Sequence, residues 1–477
     1  MSLLGLELND AGIMVAAASD SGGLVRIDQG EIESPGCAFQ ENNRLLVGRE
    51  AERKAHLDPQ RGTNWFWDQL SSEPSYQRGL GSAAPNHAEV AYAHLAQIWE
   101  NIRSRGDEVV IAVPGFYNHD QLGLILGMAA ELAMPIKGFI DLAVAAAPEP
   151  STKSLLFHVD IHLHRVAVTF LEQTDSLSRQ DLAAAAGKGL SYLHTECVKG
   201  IADEFVRTTR FDPLHQAASE QELYDRMPGV MAELQQSPAV TFELAAAAKT
   251  HRVTITRDLF VEKSERVSSE LRRLIADMRE RHGKPESSLA LLLTHRITRL
   301  PGWKEMLAGI PAANFIELQA GAAASGALRL WDQLSNQAPG SGVALFTSRP
   351  WPAVSKPSAV ADQSVPPETT LATRPTHVLY RSLAYPISDR SLTIGTGSTT
   401  DGVRLQIQGD AANVSRKHCT IQLRGDYAVL VDHSTSGTLV DEIPVSGATI
   451  LSVGQTIRVG TSGEKLLLIA SLETDAT

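Results

Sequence analysis

The chain has 477 residues, 43% of them hydrophobic and 21% charged, with a formal net charge of −12 at pH 7. A chain this long exceeds what one hydrophobic core can hold, so we expect about three structural units. The acidic excess lies mostly before residue 334 and argues against nucleic acid or an anionic membrane as the main partner.

The three cysteines, Cys37, Cys197 and Cys419, lie far apart in the sequence. This spacing excludes a disulfide framework and a clustered zinc site, and it suits a reducing compartment. The N-terminus lacks a basic region followed by a long apolar stretch, and no apolar run reaches the ~18 residues that a spanning helix needs. We therefore predict a cytoplasmic protein without membrane insertion.

Residues 1–333 alternate strand-like and helix-like segments, which is the pattern of an α/β domain. Residues 3–8 and 12–18 are predicted as two strands joined by a turn, and residues 109–113 as a buried strand. Asn118 is then predicted to cap a helix that carries an apolar stripe along one face.

Further along the same region, residues 155–160 and 166–170 predict a second pair of strands, followed by long helices. Residues 203–280, which are rich in Ala, Glu, Leu and Arg, are predicted to be helical. Residues 334–375 are dense in Pro, Ser, Ala and Thr, so they are predicted to form a semi-extended linker.

Residues 376–477 contain short apolar runs separated by turn residues, as in an all-β sandwich. Residues 419–423 and 427–431 are predicted to pair as a hairpin. Polar residues gather at both ends of this hairpin, in the runs 413–418 and 432–438.

The order and spacing of these segments resemble the forkhead-associated (FHA) domain, a β-sandwich that binds phosphothreonine. A phosphothreonine carries about −1.5 to −2 charges and three acceptor oxygens, so its reader needs a cation and short donors on rigid loops. The resemblance implies that Ser415 and Arg416 contact the phosphate and that His418 supports their loop. It places Ser434 and Thr435 on the neighbouring phosphate-facing loop.

Two positions depart from the FHA pattern. Thr396 stands where the family usually has an arginine, and Ser436 stands where it has an asparagine that holds the peptide backbone. A structural sandwich whose loops bind nothing is the alternative interpretation.

The linker carries a second feature with an FHA counterpart. Thr369 and Thr370 follow Glu368, and in some bacterial FHA regulators a similar Glu-Thr-Thr run, once phosphorylated, binds its own domain. A short tether would give a high effective concentration. The alternative is a Ser/Thr-rich linker that no kinase modifies.

Three passages of the N-terminal region resemble the ATPase domain of the seventy-kilodalton heat-shock chaperones, which has an actin-like fold. They are residues 113–118 with the helix after them, residues 255–260, and residues 299–301 with 319–327. The resemblance implies an actin-like α/β fold for residues 1–333. The peptide-binding domain that follows in those chaperones has no counterpart here.

The same resemblance places seven residues in a former nucleotide cleft: Glu7, Asn9, Leu142, Asp160, His162, His164 and Arg165. Asn9, His162 and His164 stand where the family has glycines, which let backbone N–H groups approach a phosphate closely. Glu7 and Leu142 replace an aspartate and a glutamate, and Arg165 replaces a threonine. Only Asp160 matches, so we predict no catalysis and no cofactor.

His162, His164 and Arg165 leave other interpretations open. One is a different anion site in a divergent ATP-binding protein. Another is a metal site, since alternating histidines lie on one face of a strand. No third metal ligand follows from the spacing. The simplest interpretation is that these side chains fill an abandoned cleft.

Together these features predict a non-catalytic adaptor. The FHA domain would bind a threonine-phosphorylated partner in bacterial serine/threonine-kinase signalling, and the degenerate actin-like domain would dock another protein. A divergent ATPase and a component of a larger assembly are the alternatives.

Overall fold

The structure, a computed structural model, describes residues 2–20, 22–74, 84–148, 154–246, 249–283, 287–335, 343–350, 375–380, 383–388, 390–397, 403–407, 414–424, 427–441, 443–445, 447–460 and 464–469. These residues divide into an N-terminal unit, which extends to Pro350, and a C-terminal unit, which begins at Pro375. Among the described residues, no helix combines the length and hydropathy needed to cross a membrane.

The N-terminal unit is a mixed α/β structure. Its strands are β1 (Leu3–Glu7), β2 (Ile13–Ala17), β3 (Gly23–Leu24), β4 (Glu33–Ser34), β5 (Ala38–Glu41), β6 (Arg44–Val47), β7 (Gly62–Thr63), β8 (Glu108–Val113), β9 (Ile136–Asp141), β10 (Leu155–Ile161), β11 (Arg165–Gln173), β12 (Ser176–Ala186), β13 (Ala239–Ala246), β14 (Lys249–Thr256), β15 (Leu289–Leu293), β16 (Ala313–Glu317), β17 (Ala344–Phe346) and β18 (Ser348–Pro350). Its α-helices are α1 (Arg49–Glu52), α2 (His87–Ile102), α3 (His119–Glu131), α4 (Leu142–Ala146), α5 (Leu190–Thr209), α6 (Ala217–Gln236), α7 (Arg257–His282), α8 (His295–Thr298), α9 (Trp303–Met306) and α10 (Ala322–Ser335).

Two large sheets of this unit share one strand arrangement. The first has the order β17-β9-β8-β1-β2-β3, in which β1 and β2 are antiparallel while β8 and β9 run parallel to β1. The second has the order β16-β15-β10-β11-β12-β18, in which β10 and β11 are antiparallel while β15 and β16 run parallel to β10. In each sheet, therefore, the turn of the first hairpin lies at the edge where the parallel strands end.

Helices α4 and α10 belong to a buried layer made largely of alanine and leucine that also includes residues of both sheets. A side chain at Gly326 of α10 would meet the carbonyl oxygen of Ala145 in α4 at 1.9 Å, so glycine is required for this close approach. Two further cores lie on the other sides of the sheets.

Several predicted elements of this unit are confirmed. The predicted strand at 109–113 is β8, and the helix after Asn118 is α3. The Asn118 side chain accepts a hydrogen bond from Gln121 N, and the Gln121 side chain accepts one from Asn118 N, which completes a capping box.

Other segments differ from the prediction. The stretch 203–280 includes the hairpin of β13 and β14, and β12 follows β11 before the first long helix. The sequence predicted a linker at 334–375, but part of this segment forms two strands. β17 pairs with β9, and β18 pairs with β12. These short strands extend one edge of each large sheet, which places residues 344–350 in the N-terminal unit.

The C-terminal unit is a β-sandwich. Its strands are β19 (His377–Tyr380), β20 (Leu383–Pro386), β21 (Leu392–Gly395), β22 (Val403–Gln406), β23 (Cys419–Arg424), β24 (Tyr427–Asp432), β25 (Thr438–Val440), β26 (Ile443–Pro444), β27 (Ala448–Leu451), β28 (Thr456–Val459) and β29 (Lys465–Ile469). One sheet has the order β20-β19-β29-β28-β25-β26 and the other the order β22-β21-β23-β24-β27. Alternate residues of the strands, such as Ile421 and Leu430, are fully buried in one core.

Candidate functional site

Three loops of the C-terminal unit meet beside the ends of β21, β23 and β24. Thr396 N donates to Ser415 O at 3.2 Å, and Gly397 N donates to Arg416 O at 2.9 Å. Thr435 N donates to Ser415 Oγ at 3.4 Å. The loop of residues 414–418 therefore lies between the loop after β21 and the loop after β24.

Gly395, the last residue of β21, permits the first of these contacts. A Cβ atom at this position would meet Arg416 O at 2.4 Å and Ser415 O at 2.7 Å. Because any larger residue would push the 414–418 loop outward, the glycine fixes the position of Ser415 and Arg416.

His418 joins two of the loops and is fully buried. Ser415 N donates to His418 Nδ1 at 3.1 Å, so the ring hydrogen lies on Nε2, which donates to Gly437 O at 3.2 Å. Burial lowers the pKa of His418, so the ring stays neutral at pH 7 and keeps this tautomer. The neutral imidazole thus connects the backbone of the 414–418 loop to that of the loop after β24.

Asp432 organises the loop after β24. Its Oδ1 accepts hydrogen bonds from Ser434 N at 3.0 Å and from Thr438 Oγ1 at 2.7 Å, and Ser434 Oγ in turn accepts one from Gly437 N at 2.9 Å. Burial alone would raise the pKa of Asp432, but the hydrogen bonds from Thr438 and Ser434 lower it, so the carboxylate remains charged.

Arg416 stands at the exposed tip of its loop and forms no ion pair with any described residue. The half-buried Ser415 hydroxyl lies on the same loop, and the exposed Thr435 lies across from it. A guanidinium without an ion-pair partner among the described residues, beside hydroxyl and backbone donors, is suited to bind a phosphate through charge-assisted hydrogen bonds.

Residues 392–460 match the family model of the FHA domain. The C-terminal sandwich is an FHA domain. Domains of this family bind phosphothreonine peptides on partner proteins. A search of curated proteins gave no match to the chain.

The FHA loops bring together most of the residues that the sequence singled out. Ser415, His418 and Thr435 are linked by hydrogen bonds, and Thr396 contacts the same loop through its backbone and through its hydroxyl, which donates to Val414 O at 3.4 Å. Ser436 lies on the same loop as Ser434 and Thr435, half-buried. Thr369 and Thr370 lie outside the described residues.

The sequence did not single out the supporting roles of Gly395 and Asp432. An aspartate two residues before a serine is a known signal for a side-chain-capped turn, and it could have identified Asp432. The role of Gly395 depends on a loop about twenty residues away, so no local signal reveals it.

In the N-terminal unit, the turns after β1 and β10 contact each other directly. Leu163 N donates to Asp10 Oδ1 at 2.9 Å, and His162 Nδ1 lies 3.2 Å from the same oxygen. Asn9 Nδ2 donates to Asp160 Oδ2 at 3.0 Å. We call Glu7, Asn9, Asp10, Asp160, His162 and Arg296 the turn cluster.

A buried ion pair completes the turn cluster. Arg296 Nη1 donates to Glu7 Oε1 at 2.8 Å, and Arg296 Nη2 donates to Gly12 O at 2.6 Å. The Glu7 and Arg296 side chains are 4% and 3% exposed, so water does not screen the pair. Beside them, Glu7 and Leu142 line a cavity of about 10 Å³, the size of one water molecule.

His164 and Arg165, which were also expected in a nucleotide cleft, contact residues outside the turn cluster. The ring of His164 stacks on Trp65 with centroids 3.4 Å apart, and Arg165 Nε donates to Asp68 Oδ1 at 2.6 Å. The described residues contain no group of three or more His, Cys, Asp or Glu side chains arranged to hold a metal ion.

Proposed function

We propose that the protein is a non-catalytic adaptor of the cytoplasm, in which the FHA domain binds a threonine-phosphorylated partner and the N-terminal unit docks another protein. The observation that carries the first part is the placement of Arg416 and Ser415 on a loop that neutral, buried His418 holds in position. A bacterial serine/threonine kinase that phosphorylates the partner is part of this proposal.

For the N-terminal unit we propose a degenerate actin-like fold without ATPase activity. The equivalent strand arrangement of its two sheets supports the fold. The turn cluster supports the loss of activity, because its side chains occupy the position where the two turns of such an ATPase would hold phosphates. Phosphate binding there would require breaking the Asp10 and Asp160 contacts with the opposite turn.

The phosphopeptide proposal is tested by titrating the full-length chain with a library of labelled phosphothreonine peptides. We expect micromolar binding that Arg416→Gln weakens by about tenfold or more, because one charge-assisted contact to phosphate contributes about 1.5–3 kcal/mol. Lys417→Gln is the matched control, since Lys417 is also exposed on this loop. Equal losses in the two variants, or equal affinity for unphosphorylated peptides, would refute a specific phosphate site.

The pseudo-ATPase proposal is tested by nucleotide titration of the same chain. We expect millimolar Mg-ATP to leave the melting temperature of the N-terminal unit unchanged, because bound ligand would raise it. A rise that Arg165→Gln removes would favour the divergent ATP-binding protein instead.

A further inference from the structure

A cavity of about 840 Å³ lies in the N-terminal unit, and Leu163 of the turn after β10 borders it. One wall comes from the segment between α1 and Trp65, and the other comes from helices α5 and α6. This volume falls in the range of about 300–1,000 Å³ that is typical of small-molecule sites.

A ring stack and two hydrogen bonds connect the two walls of the cavity. The ring of His56 stacks on Tyr224 with centroids 3.5 Å apart. Gln221 Nε2 donates to Glu52 O at 3.1 Å, and His56 N donates to Gln221 Oε1 at 2.8 Å. Because these contacts cross from one wall to the other, the cavity is formed before any ligand arrives.

The charges that line the cavity cancel. Arg49 and Arg53 lie on the first wall together with Glu52, and Asp225 lies on the second. Burial lowers the pKa of His56 and of His194 to about 4, so neither ring adds a charge at pH 7. Because these charges sum to zero, a polyphosphate would gain no net electrostatic attraction in the cavity. A molecule with one positive and one negative group would place each group beside a lining residue of the opposite charge.

Arg49 Nε and His194 Nε2 belong to residues that line the cavity and have no hydrogen-bond partner among the described residues, but both atoms are closed off from its free volume and do not face a ligand. In the same cavity, Trp65 and Tyr224 supply aromatic rings on opposite walls.

We propose that this cavity binds a small zwitterion with a planar ring, the chemistry of a free aromatic amino acid. Its carboxylate would bind Arg49 and Arg53 beside their contacts with Glu52 and Gln29. Its ammonium group would bind Asp225, whose Oδ1 also accepts a hydrogen bond from Gln221 Nε2 at 2.8 Å. Its ring would pack against Trp65 or Tyr224. The proposal is independent of the FHA domain.

The test is isothermal titration of the full-length chain with L-tryptophan. We expect saturable binding at one site. N-acetyl-L-tryptophanamide, which keeps the ring and lacks both charges, loses both charged contacts and should bind about a hundredfold more weakly. ATP at the same concentration should not compete.

Variants locate the binding in the cavity. Asp225→Asn removes the carboxylate on the second wall and should weaken L-tryptophan binding by about tenfold. Glu222→Gln is the matched control, because Glu222 lies on the same helix, pairs with Arg226 at 3.4 Å and does not line the cavity. Ala55→Trp should abolish binding by filling the space, at an unchanged melting temperature.

Three results would overturn the proposal. They are no saturable heat with L-tryptophan, L-tyrosine or L-phenylalanine at millimolar concentration, equal affinity for the uncharged analogue, and equal losses in Asp225→Asn and Glu222→Gln. Competition by ATP would assign the cavity to a nucleotide and would overturn it as well.

Discussion

His418 contacts two loops of the FHA domain, one through each ring nitrogen. Replacing it with alanine would leave Ser415 N and Gly437 O without these partners, and each unpaired buried group costs about 1–3 kcal/mol. We therefore expect His418→Ala to speed hydrogen exchange across residues 433–438 and to abolish phosphopeptide binding, as measured by exchange mass spectrometry and peptide titration.

His433→Ala is the control for this prediction. His433 is exposed, and its Nε2 lies 2.9 Å from Thr420 Oγ1. This side chain does not link the 414–418 loop to the loop after β24. We expect only a small change in exchange. A His418→Ala variant that exchanges and binds as the native protein does would show that the imidazole is not the support of the site.

His94 is a second buried histidine whose protonation state is fixed by its partners. Trp67 Nε1 donates to His94 Nδ1 at 3.0 Å, and His94 Nε2 donates to Ser34 Oγ at 2.8 Å. Ser34 Oγ donates in turn to Asp28 Oδ2 at 2.6 Å. Burial lowers the pKa of His94 to about 3, so the ring is neutral in the folded protein.

This low pKa predicts how stability depends on pH. Between about pH 3 and 6.5 the unfolded chain binds a proton at His94 that the folded chain does not, so stability falls as the pH falls. The slope from this residue is about 1.4 kcal/mol per pH unit. Above pH 6.5 His94 is neutral in both states, so it carries no protonation penalty. Below that value the penalty for keeping the buried ring neutral grows until about pH 3.

Urea unfolding followed by tryptophan fluorescence measures this slope, because all six tryptophans lie before residue 352. Between pH 4 and 6 we expect His94→Gln to show a shallower pH dependence than the native protein. His119→Gln, at an exposed position, should keep the native slope. Identical slopes in all three proteins would contradict the assignment.

At the scale of elements, Glu7 connects three of them. It is the last residue of β1, binds Arg296 of α8, and accepts a hydrogen bond from Ala323 N of α10 at 3.2 Å. Removing one partner of a buried ion pair typically costs about 3–5 kcal/mol. The lower end applies here, because Arg296 Nε also lies 3.6 Å from Glu33 Oε1. We expect Glu7→Gln to lower the free energy of unfolding of the N-terminal unit by about 3 kcal/mol, measured by the same urea unfolding.

A double variant distinguishes the contribution of the Glu7–Arg296 charge interaction to stability from that of side-chain packing. Glu7→Gln combined with Arg296→Met removes both charges, so we expect it to be less destabilised than the sum of the two single variants. Additive losses would indicate that the two side chains do not act as a pair.

The sequence predicted those elements whose local signals agree with their packing. The capped helix α3 and the hairpin of β23 and β24 are of this kind, because a capping residue or a strict alternation specifies each one. β12 was missed, since its end is a run of alanines that favours a helix until pairing with β11 imposes the strand. β17 and β18 were missed because two short strands between prolines carry little periodicity of their own.

At the scale of the whole molecule, the grouping of the candidate FHA site residues could be predicted because they occupy two short runs around one hairpin. The contacts that support them could not, because Gly395 and Gly437 reach the 414–418 loop from distant parts of the chain. The same limit applies to the turn cluster, whose partners Glu7 and Arg296 are separated by 289 residues.

The adaptor proposal depends first on a phosphate reaching Arg416 in the intact protein. The most direct measurement is the ³¹P NMR spectrum of one phosphothreonine peptide from the library as full-length protein is added. We predict a saturable change in the phosphorus resonance that Lys417→Gln preserves and that Arg416→Gln moves to protein concentrations about tenfold or more higher. A resonance that the native protein leaves unchanged, or that both variants change as the native protein does, would contradict the proposal.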